Sequence, residues 1–344
     1  MLRFIAATGI VWIHSQAYFY PAERRQAVFD KGLSFALFVD LFFVISGFII
    51  SAVYADRVAQ MRPYMGFIKR RFARLIPLHL LVMAFIVIAL LASSAFSTPE
   101  DLSPKCIIHN VLLLNGFFRC GNGIAVHGVT WSIGVEFALY LLFPMLLVLM
   151  KRLYSAIPVL LAAYALLGWE SHASTQSAFV GAIQFSRGLA SFLLGMALFQ
   201  WRGALATISL PSFFVICLLL VTIILMFLGA AQPVILIFIY STVVSAVCSD
   251  MNGNRSAFVT KIAPLGQLTY SIYMWHSLFI LIFMNLIADQ FLKLGTAPMV
   301  AVAVGCYGFI FFWSYLSFEI FETPVRRMID TTYFLGTVRH APNN

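Results

Sequence analysis

Charge is what this chain has least of. Asp, Glu, Lys and Arg make up 10% of its 344 residues, against 62% hydrophobic. A soluble domain carries about 25% charged residues, so the composition excludes a soluble enzyme and a disordered chain. Cysteine is scarce as well. Five in 344 residues are too few for a disulfide scaffold. Strands of about 10 residues with alternating polarity, the mark of a membrane β-barrel, are missing. What stands in their place is a series of apolar runs near 20 residues, long enough to cross a hydrocarbon core of about 30 Å as helices. The expected fold class is all-α, a polytopic membrane bundle of about ten transmembrane helices in a single domain over residues 1–344.

The spans read as residues 2–20, 33–54, 75–96, 131–150, 153–169, 178–200, 211–229, 232–249, 265–288 and 298–320. With that topology, fifteen of the 22 Lys and Arg residues collect on one side, among them Arg3, Arg57, Arg62, Arg70, Arg71 and Arg74, and six on the other. The positive-inside rule then predicts both termini in the cytoplasm. The net charge of +9 reports topology and implies no nucleic-acid partner. Cys106 and Cys120 share one outside loop, either as a disulfide or as two free thiols.

Five ionisable residues read into the middle-to-outer part of the membrane: His14, Asp40, Glu136, Arg187 and His276. An ion at mid-membrane costs about 2.5–3.5 kcal/mol on insertion scales, so each needs a reason. At a rise of about 1.5 Å per residue, all five lie roughly 8–16 Å from a membrane edge, on five different helices. Snorkelling residues would sit nearer the ends. Two readings remain: structural pairs, such as Asp40 with Arg187, or one polar chamber inside the bundle. Arg3 and His14 are eleven residues apart, within about 20° of three full turns, so they share a helix face. The stripe joins a cation at the cytoplasmic edge to an imidazole that can accept a proton near neutral pH. Arg70, Arg71 and Arg74 sit at the same edge, as lipid anchors or as a phosphate clamp.

These residues resemble the acyltransferase-3 family of integral membrane acyltransferases. The resemblance rests on Arg3-x10-His14, on DLFFVISGFIIS from Asp40, on RRFARLIP from Arg70, on WSIGVEFALYLLFP from Trp131, on YSIYMWHS from Tyr270 and on FETPVRR from Phe321. It implies a ten-helix enzyme of the bacterial inner membrane that moves an acyl group, usually acetyl, from cytosolic acetyl-CoA to a hydroxyl of a lipid-linked or exported glycan. On matching positions, His14 is the main catalytic residue, with Glu136, His276 and Asp40 beside it. Arg3, Arg70, Arg71 and Arg74 face the coenzyme. Phe137 stands where many relatives have a second polar residue. No metal is implied, and the oligomeric state is left open. Two chemical routes follow: direct attack by a sugar hydroxyl with His14 as general base, or transient acylation of a histidine. Glu136 or Asp40 would orient the imidazole, as the carboxylate of a triad does. The competing class is a carrier or flippase for an anionic or glycolipid substrate, since transporters also build polar chambers at mid-membrane.

Overall fold

The computed structural model describes residues 1–58, 61–92, 102–118, 127–152, 182–254 and 257–337. Among them there is no strand. The main helices are α1 (Leu2–Ser15), α2 (Ala22–Gly32), α3 (Phe38–Tyr54), α4 (Met61–Ala92), α5 (Pro104–Val111), α6 (Trp131–Arg152), α7 (Ala182–Gln200), α8 (Ser212–Phe227), α9 (Gln232–Met251), α10 (Thr269–Phe279), α11 (Thr296–Ser317) and α12 (Thr323–Thr337). A π-helical stretch, Ile280–Phe291, extends α10, and a π turn, Phe318–Glu322, joins α11 to α12.

Six of the ten expected spans are long and apolar enough to cross a bilayer: Ala22–Tyr54, Pro63–Ala92, Gly128–Met150, Gln232–Met251, Thr269–Phe291 and Thr296–Asp330. Three more correspond to α1, α7 and α8. Of these, α1 has 14 residues and α8 has 16, about 21 and 24 Å of helix, short of a 30 Å core on their own. The span at 153–169 lies outside the described residues. Large apolar side chains point outward along the helices, including Ile88, Leu91, Val304 and Phe312. Such a surface suits lipid and would be a liability in water. The chain is an integral membrane protein.

Backbone contact, more than side-chain bulk, sets the centre of the bundle. Helices α3 and α7 touch at Gly47 and Gly195. A Cβ on Gly47 would lie 2.1 Å from the Phe192 carbonyl oxygen, and one on Gly195 would lie 2.0 Å from that of Val44. Small residues at such crossings let membrane helices approach closely. The segment before α6 is pressed in the same way. A Cβ on Gly134 would meet the Leu113 carbonyl at 2.2 Å, and one on Gly116 the Trp131 carbonyl at 2.7 Å. Asn110 and Cys106 of α5 are buried as a result. Cys106 is disulfide-bonded, and Cys217, Cys248 and Cys306 are free. Cys120, read as sharing a loop with Cys106, lies outside the described residues.

Helix α1 packs on α3 and on α10, and α10 packs in turn on α4 and α11. This arrangement decides where the polar residues of α1 point.

Candidate active site

The two intramembrane histidines meet. The rings of His14 on α1 and His276 on α10 have centroids 5.0 Å apart, inclined at 58°. Each imidazole is held by its own helix. His14 Nδ1 donates to the Ile10 carbonyl at 2.8 Å. His276 Nδ1 donates to the Tyr273 carbonyl at 2.8 Å and, more weakly, to that of Ile272 at 3.2 Å. A carbonyl only accepts, so Nδ1 carries the hydrogen in both rings and Nε2 keeps its lone pair. His276 Nε2 is buried with no partner among the described residues. An unpaired acceptor in such a place is either a defect or a group awaiting a proton.

Arg3 lies below this pair, on the same stripe of α1. It shares a small cavity of about 50 Å³ with Arg74, Glu136, Ser132, Tyr270 and Tyr273. Its Nε is buried without a partner among the described residues. On its other side Arg3 borders a wider cavity of about 570 Å³, together with Ser249, Asp250 and Gln267. Arg3 thus stands between a broad mouth and a narrow chamber. Glu136 is anchored in the chamber wall. Its Oε1 accepts from Ser46 Oγ at 2.7 Å and from Tyr140 OH at 2.5 Å. Tyr273 donates to the Val129 carbonyl at 2.7 Å and packs its ring 5.7 Å from that of His276. Tyr273 thus lines the arginine chamber and also packs on His276, one side chain between the chamber and the histidine pair.

Asp40 stands apart from this chamber, paired with Arg187. It accepts from Arg187 Nε at 2.8 and 3.0 Å and from Arg187 Nη2, and Ser191 Oγ adds a bond of 3.2 Å. Arg187 also donates to the Ala36 carbonyl at 2.9 Å. The carboxylate that a triad would aim at an imidazole is here satisfied by a guanidinium. The orienting acceptor for both histidines is a backbone carbonyl. Arg70 and Arg71 also have a local partner, since both donate to Tyr54 OH, at 3.1 and 3.3 Å, and both lie 5.4 Å from its ring centroid. Of the three clustered arginines, Arg74 is the one that lines the chamber.

The acyltransferase domain family model matches residues 1–318 of the chain. The chain belongs to the acyltransferase-3 family. It is also similar to the acyltransferase MdmB of Streptomyces mycarofaciens, with 28% identity over 170 residues, which is 46% of this chain and 42% of the relative. The chain thus matches less than half the length of that protein. No solved structure matches it.

Within this acyltransferase-3 chain, the closing FETPVRR segment acquires a physical role. Glu322 and Arg326 pair one turn apart at 2.7 Å, and Ser271 of α10 donates to the same carboxylate. The pair ties α12 to the helix that carries His276. Two further buried histidines escaped the sequence reading. His127 Nε2 and Ser277 Oγ are 3.0 Å apart, next to His276. His79 stacks on His127 at 6.2 Å, and its Nε2 donates to the Asn110 carbonyl at 2.8 Å. His79 had a signal, five residues beyond Arg74 in an expected span. His127 had none, because it enters the bundle from a connection and follows no helical period.

Proposed function

We propose that this protein is a membrane O-acetyltransferase that transfers an acetyl group from cytosolic acetyl-CoA to a hydroxyl of a lipid-linked or exported glycan. The observation that supports the reading best is the pair of facing histidines, each fixed in tautomer by its own helix, with Arg3 on the helix that carries His14. The Streptomyces mycarofaciens relative, named an acyltransferase, fits the same reaction class. The membrane is the bacterial inner membrane, about ten helices span it, and both termini are cytoplasmic, as the positive-inside rule asks.

The wide mouth beside Arg3 and the arginine end of α4 receive the nucleotide, whose phosphates call for cations. The coenzyme's thin arm rises past Arg3, between α1 and α10, toward His14. There the sugar oxygen forms a bond to the thioester carbon as His14 Nε2 takes its proton. The carbon–sulfur bond breaks, and the imidazolium returns the proton to the departing thiolate. The acyl ester and the free thiol result, with no net proton released. His276, 5.0 Å from His14, shares the proton. The unpartnered Arg3 Nε is a ready donor to the passing coenzyme.

Mass spectra of surface glycans from the source cell, with and without the gene, test this function. Loss of an acetyl ester in the deletion, restored by the gene, is the expected result. Identical spectra would remove the glycan acceptor.

A further inference from the structure

The end of the bundle opposite the arginine cluster carries another cavity, of about 370 Å³. Trp12 and Gln16 of the first helical segment line it. Each lies 200° around the helix from His14, so they face away from the reacting pair. The cavity therefore lies on the other side of the first helical segment from the histidine pair.

Its lining has one chemical character. The walls are aromatic. Trp12 stacks on Phe19 with centroids 5.8 Å apart, and Phe227 meets Trp12 at 6.0 Å and Phe35 at 4.9 Å. The buried polar atoms are donors: Trp12 Nε1 and Gln16 Nε2 have no partner among the described residues. Gln16 is only 6% exposed. It fits because residue 32 is glycine, where a Cβ would lie 1.5 Å from Gln16 Nε2. The rim is cationic. Arg24 and Lys31 line the cavity from α2, seven residues apart and so on one helix face. Neighbouring Arg25, by contrast, pairs with Asp289 at 2.5 Å. Among the described residues, no Asp or Glu lines the cavity. Aromatic walls, orphaned donors and a cationic rim suit an oxygen-rich anion carrying an apolar or sugar face.

We propose that this cavity binds the phosphate or diphosphate of a glycolipid headgroup, with Arg24 and Lys31 on the phosphate and Gln16 and Trp12 donating below. It holds the acceptor by a group that does not react, leaving the sugar free to reach the histidines. The occupant's identity rests on the acyltransferase reading. The binding itself does not, and it is measured without turnover. The same phosphate chemistry has two sources, a bulk phospholipid or a polyprenyl-linked glycan.

The test uses the full chain in phosphatidylcholine nanodiscs, titrated with polyprenyl diphosphate, with phosphatidylglycerol and with an uncharged alkyl glucoside, and read by native mass spectrometry. In the Arg24→Gln/Lys31→Gln variant, Kd for the phosphate-bearing probe should rise about ten-fold or more, with the glucoside unchanged. Competition by phosphatidylglycerol identifies the bulk lipid as occupant. Binding that resists it identifies the prenyl-linked species. Equal Kd in wild type and variant, or a glucoside bound as tightly as the diphosphate, overturns the proposal. Should the variant fail to fold, inorganic diphosphate displaces the probe from the wild type if the phosphate is what is held, and failure to displace it overturns the proposal.

Discussion

The Asp40–Arg187 pair offers a quantitative test of which polar residues hold the bundle and which do chemistry. Asp40 is fully buried and Arg187 is 9% exposed. Arg187 joins α7 to α3 through two Nε contacts and one Nη2 bond to the carboxylate, plus the Ala36 carbonyl. Asp40→Asn keeps the shape and removes the charge, leaving a guanidinium buried and uncompensated. Breaking a buried pair from one side costs about 3–5 kcal/mol. A native state is worth about 5–15 kcal/mol, so the single variant loses a large part of its stability. Arg187→Met should lose about as much. The double variant Asp40→Leu/Arg187→Met removes both charges and should recover most of the loss, since apolar replacement of a buried pair is often close to neutral. Thermal melting of the detergent-solubilised protein gives the three stabilities, and the cycle gives the coupling. Activity per folded molecule should survive in the double variant. If Asp40→Asn melts like wild type yet loses turnover, Asp40 acts in the reaction and the structural assignment is wrong.

Three other outcomes follow from the packing and the cavity walls. Gly47→Val places side-chain atoms where the Phe192 carbonyl stands, and should cost about 3 kcal/mol or prevent folding, read as loss of the monodisperse peak on size exclusion. Arg74→Gln should raise the apparent KM for acetyl-CoA several-fold more than Arg70→Gln does, because Arg74 lines the chamber and Arg70 is engaged by Tyr54; equal effects in steady-state assays would put the cluster back as a simple anchor. A membrane-permeant maleimide should label exposed Cys217 in the unreduced protein and leave Cys106 unmodified until reduction, as intact mass shows.

The bundle was legible in the sequence where apolar runs are long. Six spans are met by long apolar helices, although the one expected at 75–96 runs Pro63–Ala92 and the one expected at 33–54 begins at Ala22. The shorter α1 was recognised by its stripe, and that stripe places Arg3 and His14 on the side that meets α10. The pairing of Asp40 with Arg187 was one of two open readings, because periodicity says which face a residue takes but not which helix lies opposite. The glycine contacts of α3 with α7 decide that, and they depend on two backbones 148 residues apart in sequence. The orientation of the imidazoles was not legible. The sequence reading looked for a carboxylate, whereas each ring uses a carbonyl one turn back on its own helix. His127 and Ser277 met unforeseen, since a connecting segment carries no period to project.

In the proposed reaction His14 Nε2 moves the proton. The most direct measurement compares single-turnover acetyl transfer by His14→Gln, His276→Gln and wild type, each matched for folded protein and bound acetyl-CoA. Gln can hydrogen-bond but cannot take a proton at neutral pH. His14→Gln should bind the coenzyme normally and transfer about 10²–10⁴-fold more slowly. Near-wild-type transfer by His14→Gln, together with its collapse in His276→Gln, would contradict the claim and make His276 the base.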